Sequence, residues 1–535
     1  MPRLISDRVF DMRTWQQEAF RSVMEKIIIG GSSFLCTATP GSGKTKLGLV
    51  IAHELFKKKL IDRVMVVTPT TTLTKQWAAE AAYFAGLDLD PDFTNHQGCE
   101  TSDFHGIAIT YALLAQDKKG IHVQNTFNRR TFVILDEPHH MGDSLAWGEA
   151  AQKAFQNAVF RFLISGTPFR SDDAKIPFVT YDDTNTSIAD YTYSYERAIQ
   201  ENVCRPVYFT IHDGRMKWKV DKLEFNKTFK DFVEKDQVSK RLRTALDHQG
   251  NFVRDVFRAA DLKLTEIRQT HKDAGGLIFA ITQAHTKQIA KVVEEITGEL
   301  PPVVISEDAD GTQKIQMFKH SNWRWMVSVK MVSEGIDIPR LRVGVYFTNV
   351  KADLFFRQLV GRFVRVQKEL GDQEAYIFIP QDKDIVKLAE TIQEEREHAL
   401  DEMKSAQKGA ADKDLWGNQY TPALKGKFEP LGSDSISSKT IAVSVEITSG
   451  AKHRVDYRKI EDQNPVYVQK EIIKKRLNDL AKRYAVKHSG GNGNRPDFKL
   501  LHKKYLEQGG KHMDLQTIEE LKSREQFYIS QLRSN

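Results

Sequence analysis

Long apolar runs are absent from the 535-residue chain. No stretch of about 18 apolar residues occurs that could cross a bilayer, and the opening MPRLISDRVFDMRTW lacks the apolar core of a signal peptide. Cysteine is also scarce. Its three copies, Cys36, Cys99 and Cys204, form no C-x-x-C pair, which argues against a disulfide framework, a zinc ribbon or an iron–sulfur cluster. We therefore expect a soluble intracellular protein whose cysteines are small buried residues.

The chain also lacks an excess of acidic residues, and its excess of positive charge is confined to the C-terminal end. Residues 465–535 hold 15 Lys and Arg against 8 Asp and Glu, which accounts for the whole net charge of +7. A basic end on a neutral body favours binding to a polyanion, although a solvated lysine-rich helix face gives the same count.

Two series of short apolar runs predict two α/β domains. Over residues 1–203 the runs SSFLCTAT, RVMVVTP, GIAIT, FVILD and FRFLISG alternate with helical patterns. Over residues 204–380 the second series begins near Val207 and resumes with GLIFAIT, PPVVIS, WMVSV, LRVGVYF and EAYIFIP, after a charged helical segment at 225–272. Such alternation is typical of parallel sheets covered by helices on both faces.

Residues 381–535 are predicted to form a C-terminal accessory domain. It begins with an amphipathic helix after Pro380, continues through a Gly-, Ser- and Lys-rich linker or loop at 405–440, and then has a hairpin that starts with IAVSVEI. Residues 465–535 predict two or three helices.

The helical pattern within 465–535 separates apolar from basic side chains. One face of VYVQKEIIKKRLNDLAKRYAVKH carries Ile473, Leu477, Leu480, Ala481 and Tyr484. Largely away from it lie Lys470, Lys474, Lys475, Lys482 and Arg483. In the next helical pattern Phe498, Leu501 and Tyr505 are predicted to point inward. We predict a basic helical nucleic-acid-binding module; the alternative is a helical cap with solvated lysines.

The segment ATPGSGKT, residues 38–45, predicts a phosphate-binding P-loop, with alanine where the usual pattern begins with glycine. It follows the apolar strand 34–38 and precedes a helix that starts near Lys44. Glycines let backbone N–H groups surround phosphates, Lys44 reaches the β and γ oxygens, and Thr45 offers a hydroxyl to Mg²⁺. The loop residues that we expect around the phosphates are Pro40, Gly41, Ser42 and Gly43.

The segment FVILDEPHHMG, residues 132–142, supplies the carboxylates that such a site needs. Asp136 and Glu137 end an apolar strand, so one can hold the metal while the other activates water. A zinc site at His139 and His140 is disfavoured, because adjacent residues diverge and neither H-x-x-x-H nor a cysteine partner is near. A structural role is the main alternative for His140.

The ordered motifs resemble those of the superfamily 2 helicases and translocases of the DExH-box kind. RTWQ at 13–16 resembles the adenine-reading element, and ATPGSGKT, TPTTTLTKQW at 68–77, DEPHH and SGTPFR at 165–170 resemble motifs I, Ia, II and III. LIFAITQAH at 277–285, SVKMVSEGIDIP at 328–339 and QLVGRFVR at 358–365 resemble motifs IV, V and VI. The resemblance covers residues 13–380 and implies two tandem RecA-like P-loop domains with parallel sheets, joined to a mainly helical basic C-terminal domain.

The resemblance also implies roles for individual residues. Lys44, Asp136 and Glu137 would be catalytic, with Thr45 and Asp136 at the metal and Arg362 and Arg365 as arginine fingers from the second domain. Arg13 and Gln16 would contact adenine, and Gly335 and Asp337 would lie near the ribose. Coupling between nucleotide and nucleic acid would fall to His139, Ser165, Thr167 and Gln358.

Nucleic-acid contacts are expected where strands end. The candidates are Thr68, Pro69, Thr70, Thr110, Tyr111, Thr282, Ser328 and Lys330, together with Lys474, Lys475, Lys482 and Arg483 of the basic module. Threonines at strand ends are often helix caps, which is the alternative for Thr70, Thr110 and Thr282.

The sequence departs from the DEAD-box RNA helicases, with DEPH for DEAD, SGT for SAT and a motif VI that begins at Gln358. It resembles more closely the phage and bacterial DNA helicases, including mobile-element proteins, and the ATPase subunits of restriction enzymes. We therefore expect an ATP- and Mg²⁺-dependent DNA helicase or translocase, in the cytoplasm of a bacterial cell or phage-infected host. Its expected partner is single-stranded, duplex or branched DNA. We expect no binding to a membrane.

Two alternatives remain open. One is an RNA helicase, and the other is an ATP-gated DNA-binding subunit of a restriction or defence complex without unwinding activity. No nuclease signature follows, because Pro496-Asp497 lacks a downstream E-x-K, so cutting would fall to a nuclease or other subunit.

Overall fold

The computed structural model describes residues 8–142, 145–166, 175–183, 186–305, 310–329, 338–367, 370–371, 373–405, 428–441, 464–488 and 497–533. The strands are β1 (Ser33–Ala38), β2 (Arg63–Thr68), β3 (Leu89–Asp90), β4 (Gly106–Thr110), β5 (Thr131–Asp136), β6 (Phe160–Ser165), β7 (Thr180–Tyr181), β8 (Ser187–Ile188), β9 (Tyr191–Tyr193), β10 (Val207–Val220), β11 (Leu223–Thr228), β12 (Gly275–Ala280), β13 (Val303–Val304), β14 (Trp325–Ser328), β15 (Leu341–Phe347), β16 (Ala375–Pro380) and β17 (Phe428–Ile441).

The helices alternate with these strands. They are α1 (Thr14–Ile28), α2 (Lys44–Lys57), α3 (Thr71–Glu80), α4 (Tyr111–Ala115), α5 (Ile121–Asn128), α6 (Leu145–Phe155), α7 (Tyr195–Gln200), α8 (Lys235–Ala245), α9 (Asn251–Thr270), α10 (Gln283–Thr297), α11 (Gly311–His320), α12 (Asp353–Val360), α13 (Lys383–Ser405), α14 (Val466–His488), α15 (Leu500–Glu507) and α16 (Ile518–Arg533). No helix in the described ranges is long and apolar enough to cross a membrane.

The chain divides into two compact units. The first comprises Met1–Thr37, Gly43–Thr192 and His453–Asn535, and the second comprises Ala38–Ser42 and Tyr193–Lys452. Residues 381–535, predicted as one accessory segment, are thus shared: α13 and β17 belong to the second unit, and α14 to α16 belong to the first.

The sheet of the first unit has the order β3-β4-β2-β5-β6-β1-β9. Neighbours from β3 to β1 pair in parallel, as predicted. Because parallel strands end at the same edge, the motif residues that follow β1, β2, β4, β5 and β6 all lie at the edge formed by the carboxyl ends of these strands. That edge carries the candidate site.

The sheet of the second unit has the order β11-β10-β16-β15-β12-β14-β13, with β17 also paired to β10. The five predicted apolar runs from GLIFAIT to EAYIFIP are its parallel strands β12 to β16. Together, the two sheets confirm the predicted α/β architecture of two RecA-like domains.

Strand β10 differs from the prediction in length and in its partners. It pairs in parallel with β16 over Val207–His212, and antiparallel with β11 over Arg215–Val220 and with β17 over Phe209–Val220. The prediction of a linker or loop at 405–440 was therefore wrong for residues 428–440, where backbone pairing of β17 with β10 overrides a Gly- and Ser-rich composition. The predicted hairpin beyond Ile441 lies outside the described residues. Residues 225–228, predicted as helical, belong to β11.

The three C-terminal helices have a small apolar core of their own. It contains Ile473, Leu477, Ala481, Tyr484, Leu501, Leu521 and Tyr528, which confirms the predicted inward face of α14. Phe498 was predicted to point inward but is 50% exposed, because it precedes the first turn of α15 and does not follow helical periodicity. Burying Leu- or Tyr-sized side chains stabilises a core by roughly 2 kcal/mol each.

The cysteine prediction was correct for two of three positions. Cys36 and Cys204 are buried, and Cys99 is exposed because it lies in the loop between β3 and β4.

Candidate active site

The loop between β1 and α2 has the backbone shape that phosphate binding requires. Gly41 and Gly43 have φ of +80° and +97°, a region that glycine adopts without the strain that a Cβ imposes. A Cβ on Gly43 would also lie 2.9 Å from the Nε2 atom of Gln16. The loop leads directly into the 14-residue helix α2, and the first N–H groups of a helix can bind an anion at its N-terminus.

Gln16 connects helix α1 to this loop. Its Oε1 accepts a hydrogen bond from the Arg13 backbone N–H at 2.9 Å, and its Nε2 donates to the Gly43 carbonyl at 2.9 Å. The side chain is 2% exposed. Gln16 therefore fixes the C-terminal end of the loop, and its predicted contact with adenine remains a prediction.

Asp136 and Glu137 stand at the end of β5, beside the loop. Glu137 has φ of +48°, which is uncommon for a residue with a side chain and costs about 1–2 kcal/mol. Its N–H nevertheless donates to the Ile164 carbonyl at 2.8 Å and so extends the pairing between β5 and β6. The unusual backbone turns the Glu137 carboxylate toward Lys44, whose Nζ lies 3.4 Å from Oε1.

Several donors surround the other carboxylate oxygen of Glu137. Its Oε2 accepts from the Gly166 N–H at 3.2 Å and from the Ser165 hydroxyl at 3.4 Å, and it lies 3.6 Å from Nδ1 of His139. Burial alone would raise the pKa of Glu137, but the charge of Lys44, then His139 and the Gly166 N–H, lower the pKa to about 2. Glu137 is thus ionised at neutral pH and can accept a hydrogen bond from a water molecule.

Two buried aromatic side chains hold Asp136. The indole Nε1–H of Trp77, from α3, donates to Asp136 Oδ2 at 2.8 Å, and the Tyr111 hydroxyl, from α4, donates to the Asp136 carbonyl oxygen at 3.0 Å. We did not predict either contact from the sequence. The only signal was the position of Trp77 at the end of TPTTTLTKQW.

The two histidines of DEPHH lie together. His139 is buried, and its ring centroid lies 4.4 Å from that of His140. His140 is half-buried, and its N–H donates to the Glu137 carbonyl at 3.1 Å, which supports the backbone turn after β5. No cluster of three potential metal-ligating His, Cys, Asp or Glu side chains occurs among the residues that the structure describes.

The residues present fit a magnesium nucleotide. The fit rests on the cradle that a Cβ on Gly43 would fill, on the ammonium of Lys44 at the start of α2, and on an all-oxygen donor set from Thr45 and Asp136. Magnesium prefers oxygen ligands and keeps several waters, so one hydroxyl and one carboxylate are sufficient protein ligands.

The other predicted nucleotide contacts belong to the second unit. There Arg365 pairs in a short bridge with Cys204, and a Cβ on Gly41 would lie 3.3 Å from the Arg365 Cγ. Arg362 is buried, and Gln358 lies half-buried on α12. Contact of the two arginines with the γ-phosphate remains a prediction. Thr167, Lys330, Gly335 and Asp337 lie outside the described residues.

The strand-end threonines serve as helix caps. Thr70, Thr110 and Thr282 accept hydrogen bonds from the N–H groups of Leu73, Leu113 and His285, respectively, at the starts of α3, α4 and α10. This is the alternative considered from the sequence. Capping leaves their backbone groups near the sheet edge, so contact with nucleic acid stays a prediction for these residues and for Pro69.

Three other candidates have no exposed side-chain surface. Thr68, Tyr111 and Ser328 are fully buried, and their hydroxyls donate to the carbonyls of Thr70, Asp136 and Val329. These side chains organise the protein backbone beneath the edge, and contact of their backbone groups with nucleic acid stays a prediction.

The C-terminal basic side chains differ in environment. Lys475 and Lys482 are exposed and pair with Glu471 at 2.9 Å and Asp479 at 3.7 Å, while Arg483 is exposed. Lys474 is partly buried against Asp514 at 2.7 Å. Lys470, predicted to lie largely away from the apolar face, is instead buried: its Nζ bonds the Thr101 hydroxyl at 2.5 Å and Asp103 at 3.1 Å.

Comparison with known proteins agrees with this arrangement. Residues 9–170 match the family model described as "Type III restriction enzyme, res subunit". An uncharacterised protein of Mycobacterium leprae (strain TN) is 38% identical over 415 residues, covering 77% of this chain and 68% of that protein. The chain belongs to the superfamily 2 helicases and restriction-enzyme ATPases.

Two further proteins are similar to this chain over comparable lengths. An uncharacterised protein of Mycobacterium tuberculosis (strain CDC 1551 / Oshkosh) is 40% identical over 73% of this chain, and the chain spans 64% of that relative. The "DNA 3'-5' translocase XPB2" of Sulfurisphaera tokodaii is 23% identical over 70% of this chain and 82% of its own length.

A solved structure shares the fold. It is a fragment described as the HsdR subunit of a type I restriction enzyme from Vibrio vulnificus YJ016, with a TM-score of 0.51 and 17% identity. The superposition covers 72% of this chain and 67% of the fragment.

Proposed function

We propose that this superfamily 2 protein hydrolyses ATP in a nucleic-acid-dependent manner and uses the reaction to translocate on, or unwind, DNA. The observation that carries the proposal is the arrangement of Lys44, Asp136 and Glu137 at one sheet edge, beside a loop that has glycine at its two positions of positive φ. The similarity to a DNA translocase over 70% of the chain supports DNA rather than RNA.

The chain's own residues would perform distinct steps. Lys44 would bind the phosphate oxygens, which requires it to exchange its 3.4 Å contact with Glu137 for the ligand. Glu137, released from that ion pair, would orient the attacking water, while His139 and Ser165 would hold its position. Magnesium, when bound through Thr45 and Asp136, supplies neutralisation of phosphate charge.

Arg362 and Arg365 would complete the site when the domains close. Their guanidinium groups would neutralise charge that develops on the γ-phosphate. Repeated closing and opening of the two RecA-like domains would move the protein along a strand, with the edge residues around Pro69 and Thr70 in contact with its backbone.

The basic C-terminal module would strengthen DNA binding. Lys475, Lys482 and Arg483 are its best candidates, because their side chains are exposed and their carboxylate partners are also solvated. Surface pairs of this kind contribute little, so exchange for phosphate is favourable. Lys474 remains a candidate, although its pair with Asp514 is partly buried.

The deciding experiment compares ATP hydrolysis without nucleic acid and with single-stranded DNA, duplex DNA, forked DNA and RNA. We expect stimulation by DNA, and loss of the rate by about 100-fold or more in Lys44→Ala and Glu137→Gln. Lys46→Ala and Glu149→Gln, exposed neighbours on α2 and α6, are matched controls that keep the rate.

The outcomes separate the candidate functions. Preferential stimulation by RNA would replace the proposal with an RNA helicase. Stimulation by DNA without movement, in both strand-displacement and triplex-displacement assays, would indicate an ATP-gated subunit of a larger complex.

A further inference from the structure

Helices α3 and α4 of the first unit both begin at candidate nucleic-acid contacts, and both carry a side chain that bonds Asp136. Helix α3 begins after Thr70, and α4 begins after Thr110, at the ends of the neighbouring strands β2 and β4. Strand β5, which carries Asp136, lies on the other side of β2. The three strand ends are therefore adjacent along one edge.

Each helix sends one buried hydrogen-bond donor to Asp136. Trp77 is 1% exposed and donates from Nε1 to Oδ2 at 2.8 Å, and Tyr111 is fully buried and donates from its hydroxyl to the main-chain oxygen at 3.0 Å. The two donors contact different groups of the same residue. Together they hold both its carboxylate and its main-chain carbonyl.

Each helix is short, so its donor lies close to its first residue. Trp77 lies seven residues after Thr70, about 10 Å along the helix axis. Thr70 caps the first turn of α3, and the Thr74 hydroxyl donates to the Thr71 carbonyl at 2.7 Å, so two side-chain hydrogen bonds hold this turn. Tyr111 directly follows Thr110, and its ring stacks on Trp147 with centroids 6.2 Å apart.

We propose that Trp77 and Tyr111 are positioning residues that couple nucleic-acid binding at the strand ends to the geometry of Asp136, and hence to magnesium binding and ATP hydrolysis. The inference rests on the proposed function. When nucleic acid shifts the starts of α3 and α4, their donors shift with them and reorient the carboxylate that holds the metal. Stimulation of hydrolysis follows from that shift.

The test uses Trp77→Phe and Tyr111→Phe, which remove the donor and keep the aromatic ring. We expect the ratio of DNA-stimulated to basal hydrolysis to fall about tenfold in each variant, which is the loss expected for one hydrogen bond to a charged or buried partner. In Trp77→Phe we also expect a higher Mg²⁺ concentration at half-saturation of fluorescent ATP-analogue binding. DNA affinity without nucleotide should be unchanged.

Two matched variants control for the loss of a buried hydrogen bond as such. Trp218 is fully buried and donates from Nε1 to Gln237 Oε1 at 2.9 Å, and Tyr346 is fully buried and donates to the Val350 carbonyl at 2.6 Å. Trp218→Phe and Tyr346→Phe should lower the unfolding temperature as much as the test variants while they keep the stimulation ratio and the Mg²⁺ dependence.

The possible failures are distinguishable. If the wild-type protein hydrolyses ATP with no response to any nucleic acid, the proposed function fails, and an unaltered Mg²⁺ dependence in Trp77→Phe then overturns the positioning of Asp136 as well. If the wild type is stimulated and the two test variants are stimulated equally, the coupling role is overturned and the proposed function stands.

Discussion

The ammonium of Lys470 lies 3.1 Å from the carboxylate of Asp103 and contacts the Phe104 ring face at 4.5 Å. Asp103 also accepts a hydrogen bond at 3.0 Å from the N–H of Ile518, the first residue of α16. One aspartate in the loop before β4 thus holds two of the three C-terminal helices. The contact joins parts of the first unit that are more than 350 residues apart in sequence.

Lys470→Met tests this attachment. Lys470 is buried and Asp103 is partly buried, so the variant leaves the Asp103 carboxylate with the Ile518 N–H but without its cation. We expect a loss of roughly 2 kcal/mol in the free energy of unfolding. Lys475→Met is the matched control on the same helix: its pair with Glu471 is exposed, so the loss should stay within about 0.5 kcal/mol. Denaturant unfolding measures both values. Equal losses would contradict a specific role for Lys470.

The buried carboxyl of Asp90 should make the free energy of unfolding depend on pH. Burial raises the pKa of Asp90 to about 6, although the charge of Lys470 opposes the rise. A raised pKa means that the folded state favours the protonated form of Asp90. The stability associated with Asp90 is therefore fully present below pH 3.8 and is lost as the pH rises through 6, where the buried carboxyl must ionise.

Asp90→Asn should therefore stabilise the protein above pH 6 and not below pH 4. The expected gain at pH 8 is on the order of 2 kcal/mol, and the asparagine Oδ1 can still accept from the Asp92 N–H. Denaturant unfolding at several pH values measures the difference between variant and wild type. A difference that does not vary with pH would refute the prediction.

Gly43→Ala tests the shape of the phosphate cradle. Both the positive φ and the 2.9 Å approach to Gln16 oppose a methyl group there, so we expect nucleotide affinity to fall at least about tenfold. Gly98→Ala is the control: its φ is +74°, but nothing lies within 4 Å of the added carbon. It should cost only about 1 kcal/mol of stability and leave nucleotide binding intact. Fluorescent-nucleotide titration reports the affinity.

A charge-reversal pair tests the basic module. In the double variant Lys482→Glu and Arg483→Glu we expect weaker DNA binding and a salt slope that falls by about 0.9 for each lost phosphate contact. Lys58→Glu with Lys59→Glu is a control pair of exposed neighbours at the end of α2. If both pairs change the slope equally, the effect comes from net charge and not from the module.

The repeating strands and the phosphate loop could be predicted from the sequence because their signals are local. Apolar runs bounded by turn residues specify β2 and β5, and ATPGSGKT specifies the loop by its own glycines and lysine. The turn at Glu137 could not be predicted, since a positive φ at a non-glycine residue arises from its pairing with Ile164 and its neighbours.

The remaining differences come from contacts distant in sequence. The helical position of Lys470 predicts a solvated cation, yet Thr101 and Asp103, far earlier in the chain, bind its ammonium group. Likewise, the composition of 428–441 indicates a loop, and only the open edge of β10 makes it a strand. Trp77 and Tyr111 lie in apolar patterns whose shared polar partner becomes visible only when β2, β4 and β5 are adjacent.

The order of residues in the first unit has a consequence for synthesis. The unit starts with the first residues of the chain and is completed by α14 to α16, whereas all of Tyr193–Lys452 belongs to the second unit. During translation, Asp103 and Asp88 therefore emerge from the ribosome long before Lys470, Val466 and Ile518, with which they bond. The nascent RecA-like domain must therefore persist with Asp88 and Asp103 uncovered while an entire second domain is made.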